Sequence, residues 1–204
     1  MTPLDHALAL WRCGFSVIPV PRPDARQDGD VPTFLWKRYQ TERPTEAQLR
    51  EWFSGAPQNL AIVTGAVSGI VVVEADSRAG LRWCARHLCT TPWQIKTARG
   101  FHLIYRYPGV RVHARAPLDT GGGRLQVDVR GDGGYVLGPG SVDASGHLYT
   151  LAGDWTRNHV PRFWSGWLRP TARLRPPPPS DPPPACPRVR SDARLARVGV
   201  QSAR

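Results

Sequence analysis

The stretch Gly69-Ile70-Val71-Val72-Val73-Glu74-Ala75-Asp76 constrains this chain more than any other. Its β-branched residues favour an extended backbone, and a short apolar run of this kind reads as a buried strand. The end of the run carries the information. Side chains alternate across a strand, so Glu74 and Asp76 leave on one face with α-carbons about 6.5 Å apart. Two carboxylates that close repel each other unless a cation sits between them. A hard divalent ion such as Mg²⁺ or Mn²⁺ answers that need, because it takes oxygen ligands and tolerates open water positions.

Two further stretches fit the same geometry. In Phe101-His102-Leu103-Ile104-Tyr105-Arg106, alternation puts His102, Ile104 and Arg106 on one face and Phe101, Leu103 and Tyr105 on the other. In Leu125-Gln126-Val127-Asp128-Val129-Arg130 the polar face carries Gln126, Asp128 and Arg130. Asp128 is a third carboxylate that can complete a two-metal site with the first pair. His102 and Arg130 are placed to bind the negative charge that such metals bring in.

The rest of the chain predicts a mixed order of elements. Residues 3–13 read as a helix with Leu4, Ala7, Leu8 and Trp11 on one stripe, ended by Gly14 before a strand from Phe15 to Val20. Pro21 to Pro32 reads as a loop. Thr45 and Gln48 are spaced as a capping box for a helix that presents Leu49, Trp52 and Phe53 inward. Strands are expected near 59–63 and 69–76, a helix near 78–89, and strands near 93–97 and 101–107. After a loop over 109–124, strands near 125–130, 134–137 and 147–151 follow, with a short helix near 161–168. Gly131-Asp132-Gly133-Gly134 reads as a hairpin turn, with Asp119 and Asp132 as turn residues. This order predicts an α+β domain over 1–169: a small αβ module leading into an antiparallel sheet that carries the acids. Residues 170–204 hold nine prolines, seven arginines and two aspartates, and predict a disordered or polyproline tail.

Composition narrows the partners. Net charge is +11, and only Lys37 and Lys96 among the 27 basic residues are lysine. Such a surplus attracts a polyanion, and arginine forks onto phosphate oxygens. No run of 18 apolar residues and no signal-like N-terminus appears, so neither a membrane span nor export is expected. The expected location is the cytoplasm, with Cys13, Cys84, Cys89 and Cys186 as reduced thiols. Cys84 and Cys89 diverge by about 140° on a helix, which argues against a zinc pair.

The order acid-x-acid, then small-x-His, then apolar-Asp resembles the three motifs of the archaeo-eukaryotic primase superfamily. More narrowly, the chain is similar to the N-terminal domain of bifunctional DNA primase/polymerases, the prim-pol proteins of plasmids, phages and integrated elements. The resemblance runs from about residue 4 to 168. It takes in ALALWRCGFSVIPV at the start, Asn59 to Gly65, the three motif strands, Pro139-Gly140-Ser141 and Gly146-His147-Leu148-Tyr149. The chain departs from the family pattern in four places. Glu74 stands where the family more often carries Asp, and Asp30-Val31-Pro32 where it often has Lys-x-Pro. Arg99-Gly100-Phe101-His102 replaces Gly-Gly-x-His, and Pro139-Gly140-Ser141 replaces Pro-Pro-Ser.

The resemblance implies an RRM-like antiparallel sheet beside the αβ module, and template-directed nucleotidyl transfer by a DNA primase/polymerase in replication. Glu74, Asp76 and Asp128 would hold two divalent ions, Mg²⁺ or Mn²⁺, and His102 would donate to the triphosphate. Arg99, Lys96, Arg130 and Ser141 are further candidates for phosphate contact. The implied partners are a DNA template and primer, nucleoside triphosphates, and a replicative helicase on a separate chain. Two other readings stay open on the residues: a metal-dependent nuclease, and a non-catalytic nucleic-acid-binding replication module.

Overall fold

The computed structural model of the chain describes residues 2–23, 36–55, 57–116, 118–120, 125–155 and 159–168. Most of the expected 21–32 loop and the whole tail from 170 lie outside the described residues. Helix α1, Pro3–Arg12, opens on a capping box in which the Thr2 amide donates to the Asp5 carboxylate (2.7 Å) and the Asp5 amide to the Thr2 hydroxyl (3.2 Å). Ala7, Leu8 and Leu10 are buried, with Leu4 and Trp11 packed at the margin. Helix α2, Glu46–Trp52, starts on the expected Thr45/Gln48 capping box and buries Leu49. Between β1 (Ser16–Val20) and α2 lies a 3-10 turn, Trp36–Gln40.

The remaining elements are β2 (Asn59–Val63), β3 (Ile70–Ala75), helix α3 (Arg78–His87), β4 (Trp93–Lys96) and β5 (Phe101–Arg106). They are followed by β6 (Val127–Arg130), β7 (Tyr135–Leu137), β8 (Thr150–Gly153) and a 3-10 turn at Ser165–Trp167. The strands form two antiparallel sheets, one of order β1-β2-β7 and one of order β6-β3-β5-β4-β8. Alternation sorts their side chains into layers. Val17, Leu60, Ile62 and Val136 of the small sheet meet Ile70, Val72, Ile95 and Ile104 of the large one, with α1 and Leu49 sealing that core. Val71, Val73 and Ala75 turn the other way, joining Tyr105, Val129 and Cys84 of α3. Strand β3 is therefore central, paired on both edges and buried on both faces until Glu74. Burying each valine contributes about 1.5–3 kcal/mol, and this anchors the strand that ends in acids.

Three expectations are corrected. Gly131–Gly134 is a turn but not a hairpin, because β6 pairs with β3 while β7 pairs with β2, so the chain crosses here from one sheet to the other. The crossing is pinned by Asp132: its amide donates to the Val112 carbonyl (2.6 Å), and its carboxylate ties in Ala66. The last strand starts later than expected. Leu148 first bridges Val142 in a local loop closed by Tyr149 on Ser141, and only Thr150 onward joins β4. At 161–168 the helix shrinks to one 3-10 turn, because the backbone of Arg106 bonds to Pro161 and Phe163 and holds that stretch extended.

Candidate active site

Registry at one end of the large sheet assembles the site. Glu74 on β3 lies directly opposite His102 on β5 and Asp128 on β6, so the three share a row on the face that also carries Val72 and Ile104. Ile95 of β4 extends the row on the far side of His102. The core closes below this row, which leaves Glu74 and His102 at its rim. Asp76 follows one step beyond the strand, its amide held by the Gln126 carbonyl at 3.0 Å.

Burial and charge then set each group apart. The Glu74 side chain is 12% exposed, and the Arg130 guanidinium Nε donates to its Oε2 at 2.6 Å. His102 Nε2 stands 3.5 Å from Oε1 of the same carboxylate. Burial pushes the Glu74 pKa up, Arg130 opposes it, and the charges of Asp76 and Asp128 add to the rise. Asp76 is likewise raised, by burial first and by Asp128 as well, with Arg99 pulling it down. The Asp128 side chain is 59% exposed and stands 4.0 Å from the Arg130 guanidinium.

His102 is a neutral imidazole. Burial, aided by the positive Arg130, holds its pKa down to about 4. A backbone contact with Leu137 works the other way, although buried Nδ1 makes no hydrogen bond of ordinary geometry.

The glycine before the histidine has a steric reason. A Cβ on Gly100 would sit 1.8 Å from the Ala75 carbonyl oxygen, so only glycine lets the turn before β5 lie against the end of β3. Thr97 closes that turn through its hydroxyl on the Gly100 amide (3.0 Å). The effect is to carry Arg99 to Asp76, where its charge is felt.

Not every sequence candidate is gathered here. Lys96 pairs with Phe101, which places it on the sheet face opposite His102. Ser141 is fully buried: its hydroxyl donates to the Leu60 carbonyl (2.8 Å) and accepts from the Leu60 amide (3.0 Å). With its one proton given to Leu60, it fastens β2 from inside the fold. Arg130 reaches the site but is already bound to Glu74. One residue at the site was not among the candidates read from the sequence. Tyr149 packs edge-on against His102, ring centroids 5.7 Å apart, and its hydroxyl feels the charges of Asp76 and Glu74. It arrives from the loop before β8, and no spacing in the chain announces it.

The donor set is chemically suited to a hard cation: three carboxylates, two of them with raised pKa values, at one sheet end. Among the described residues, however, no three acidic, histidine or cysteine side chains converge closely enough to cage an ion as they stand. Arg130 already neutralises Glu74, so Asp76 and Asp128 are the carboxylates with capacity to spare. Cys84 lies elsewhere, its thiol buried and pushed up to about 12.

Residues 7–178 match the family model described as bifunctional DNA primase/polymerase, N-terminal. No curated protein matches the chain.

Proposed function

Because the chain belongs to the bifunctional DNA primase/polymerase N-terminal family, we propose that the acid end of its large sheet performs template-directed nucleotidyl transfer. Membership itself gives the broad class: a primase/polymerase type of replication function, acting on DNA and nucleotides. The observation that carries the finer reading is the row Asp128–Glu74–His102, with Asp76 beside it. Order β6-β3-β5-β4, with α3 following β3, supports an RRM-like arrangement for the sheet.

Mg²⁺ or Mn²⁺ held by Asp76 and Asp128, with Glu74 as a third ligand once Arg130 lets go, would lower the pKa of an attacking hydroxyl and neutralise phosphate charge. The chain's own groups do the rest. Neutral His102 would offer a ring N–H to the triphosphate through Nε2, the nitrogen that faces the Glu74 carboxylate at 3.5 Å. Arg99, set at the sheet end by Gly100, is placed to fork onto phosphate oxygens. Arg130 keeps Glu74 neutralised while the site is empty of nucleotide. A separate helicase and a mobile-element setting follow from the family resemblance alone.

The Arg130–Glu74 pair also favours a second reading, a nucleic-acid-binding replication module in which the acids no longer turn over substrate. Primer extension separates the two. With Mg²⁺ or Mn²⁺, with and without primer, and with dNTPs or NTPs, the wild type is expected to extend. Asp76→Ala and Asp128→Ala are expected to lose at least about a hundredfold, more than the 10–100-fold typical of groups that only support a ligand. No extension by the wild type under any of these conditions selects the second reading.

A further inference from the structure

Helix α3, RAGLRWCARH, contains no acidic residue. Arg78, Arg82 and Arg86 recur every fourth position, so they form one exposed stripe on its outer side, about 6 Å from each to the next along the axis. Like charges at this spacing destabilise a helix, and Arg78 sits in the first turn, where the helix dipole disfavours a cation. Two other helical arginines are neutralised at the same spacing: Arg50 bonds to Glu46 in α2, and Arg38 to Glu42 beside the 3-10 turn. Among the described residues the three arginines of α3 form no ion pair or hydrogen bond. Next to the stripe, Trp83 and exposed His87 stack with ring centroids 4.9 Å apart and planes 24° from parallel. A cationic track beside a flat π surface is the combination that binds a nucleic acid strand with its bases unpaired.

We propose that the α3 face is a docking track for single-stranded DNA, with Arg78, Arg82 and Arg86 on successive phosphates and the His87–Trp83 stack receiving a base. The track begins two residues after Asp76 and runs along the side of the large sheet opposite Glu74 and His102. It takes DNA as its polyanion from the family, and it does not depend on catalysis at the acids. A single strand is specified because the stacked rings need a free base face, which a duplex does not offer.

The test uses the full chain and a fluorescent single-stranded oligonucleotide, with anisotropy read across a salt series. Each phosphate contact on a single strand contributes about 0.7 to the slope of log K against log salt, so R78Q/R82Q/R86Q is expected to flatten the slope by about 2. Melting should hold or rise, because like-charge repulsion is relieved. His87→Ala is expected to weaken binding with the slope unchanged. A control that removes the same charge from other exposed arginines, R12Q/R111Q/R115Q, is expected to change the slope less. An unchanged slope in the α3 variant, an equal change in the control, or equal weakening on duplex and single strand would overturn the proposal. Should the triple variant not fold, Arg82→Gln alone is expected to flatten the slope by about 0.7. Nucleotide binding without DNA should be the same in every variant, so failure here is distinct from failure of the acid site.

Discussion

Asp128 and Asp132 are four residues apart and are put to opposite uses. The Asp132 carboxylate accepts from the Tyr107 hydroxyl (2.8 Å), the Val112 amide (3.0 Å) and the Ala66 amide (3.1 Å). Gly65 packs so tightly beside it that a Cβ would come within 2.5 Å of the carboxylate. Asp128 has only a guanidinium 4.0 Å away. The same split separates two buried polar side chains, Ser141 with its hydroxyl donating to and accepting from Leu60, and His102 with only a 3.5 Å approach to Glu74 at Nε2. A polar group whose partners are all internal holds the fold together. One left short of partners is available to something outside it.

The largest effect that can break this contrast is on stability. Asp132→Ala removes three hydrogen bonds to a carboxylate and strands the amide of buried Val112, a loss of about 3–4 kcal/mol. Asp128→Ala should stay within about 0.5 kcal/mol, as exposed substitutions do, or gain slightly from relieved repulsion. Urea unfolding of the two variants side by side decides it; equal losses would erase the distinction.

Next comes Ser141→Ala, which leaves the buried amide and carbonyl of Leu60 without that partner and should cost about 2 kcal/mol. Nucleotide affinity on primer-template should not move. If stability held and nucleotide affinity fell instead, Ser141 would return to the list of phosphate contacts.

The smallest effect is a pH dependence. The folded-state pKa of His102, about 4, lies below its ordinary 6.5. Between those values the unfolded chain takes up a proton that the folded chain refuses. Stability is therefore full above pH 6.5 and falls as pH drops toward 4. The raised acids Glu74 and Asp76 work in the opposite sense, so the useful quantity is wild type minus His102→Gln. At pH 5.5 that difference should have shrunk by about 1 kcal/mol from its value at pH 7.5. Parallel curves for the two proteins would mean that His102 titrates normally in the fold.

Much of this was legible in the sequence, and the remainder was hidden for physical reasons. The Thr45/Gln48 capping box depends on residues three apart, and the facing of Glu74, His102 and Asp128 depends on alternation, so local rules reached them; the Thr2/Asp5 box has the same spacing but was not read. The crossing at Gly131–Gly134 escaped because a glycine-rich turn looks the same whether the strands it joins pair with each other or with different neighbours. Ser141 escaped because its partner, Leu60, is 81 residues away. The capture of Glu74 by Arg130 needed the β3–β6 register, since Arg130 stands opposite Val72, one row below. Tyr149 could be found only after folding, because it comes to His102 from a separate loop.

The register that builds the acid row is also a ruler with coarse divisions. Hydrogen-bond ladders move in whole residues, and a slip of one residue turns every side chain of a strand to the other face. A shift of β6 by one position would replace Asp128 with Val127 or Val129 and point Arg130 away from Glu74. Small adjustments of the strands therefore cannot tune the distances between these carboxylates. What remains adjustable is the length of each side chain. The extra methylene of Glu74 is a fine adjustment of that kind, and it lets the carboxylate meet a guanidinium based one row down the sheet.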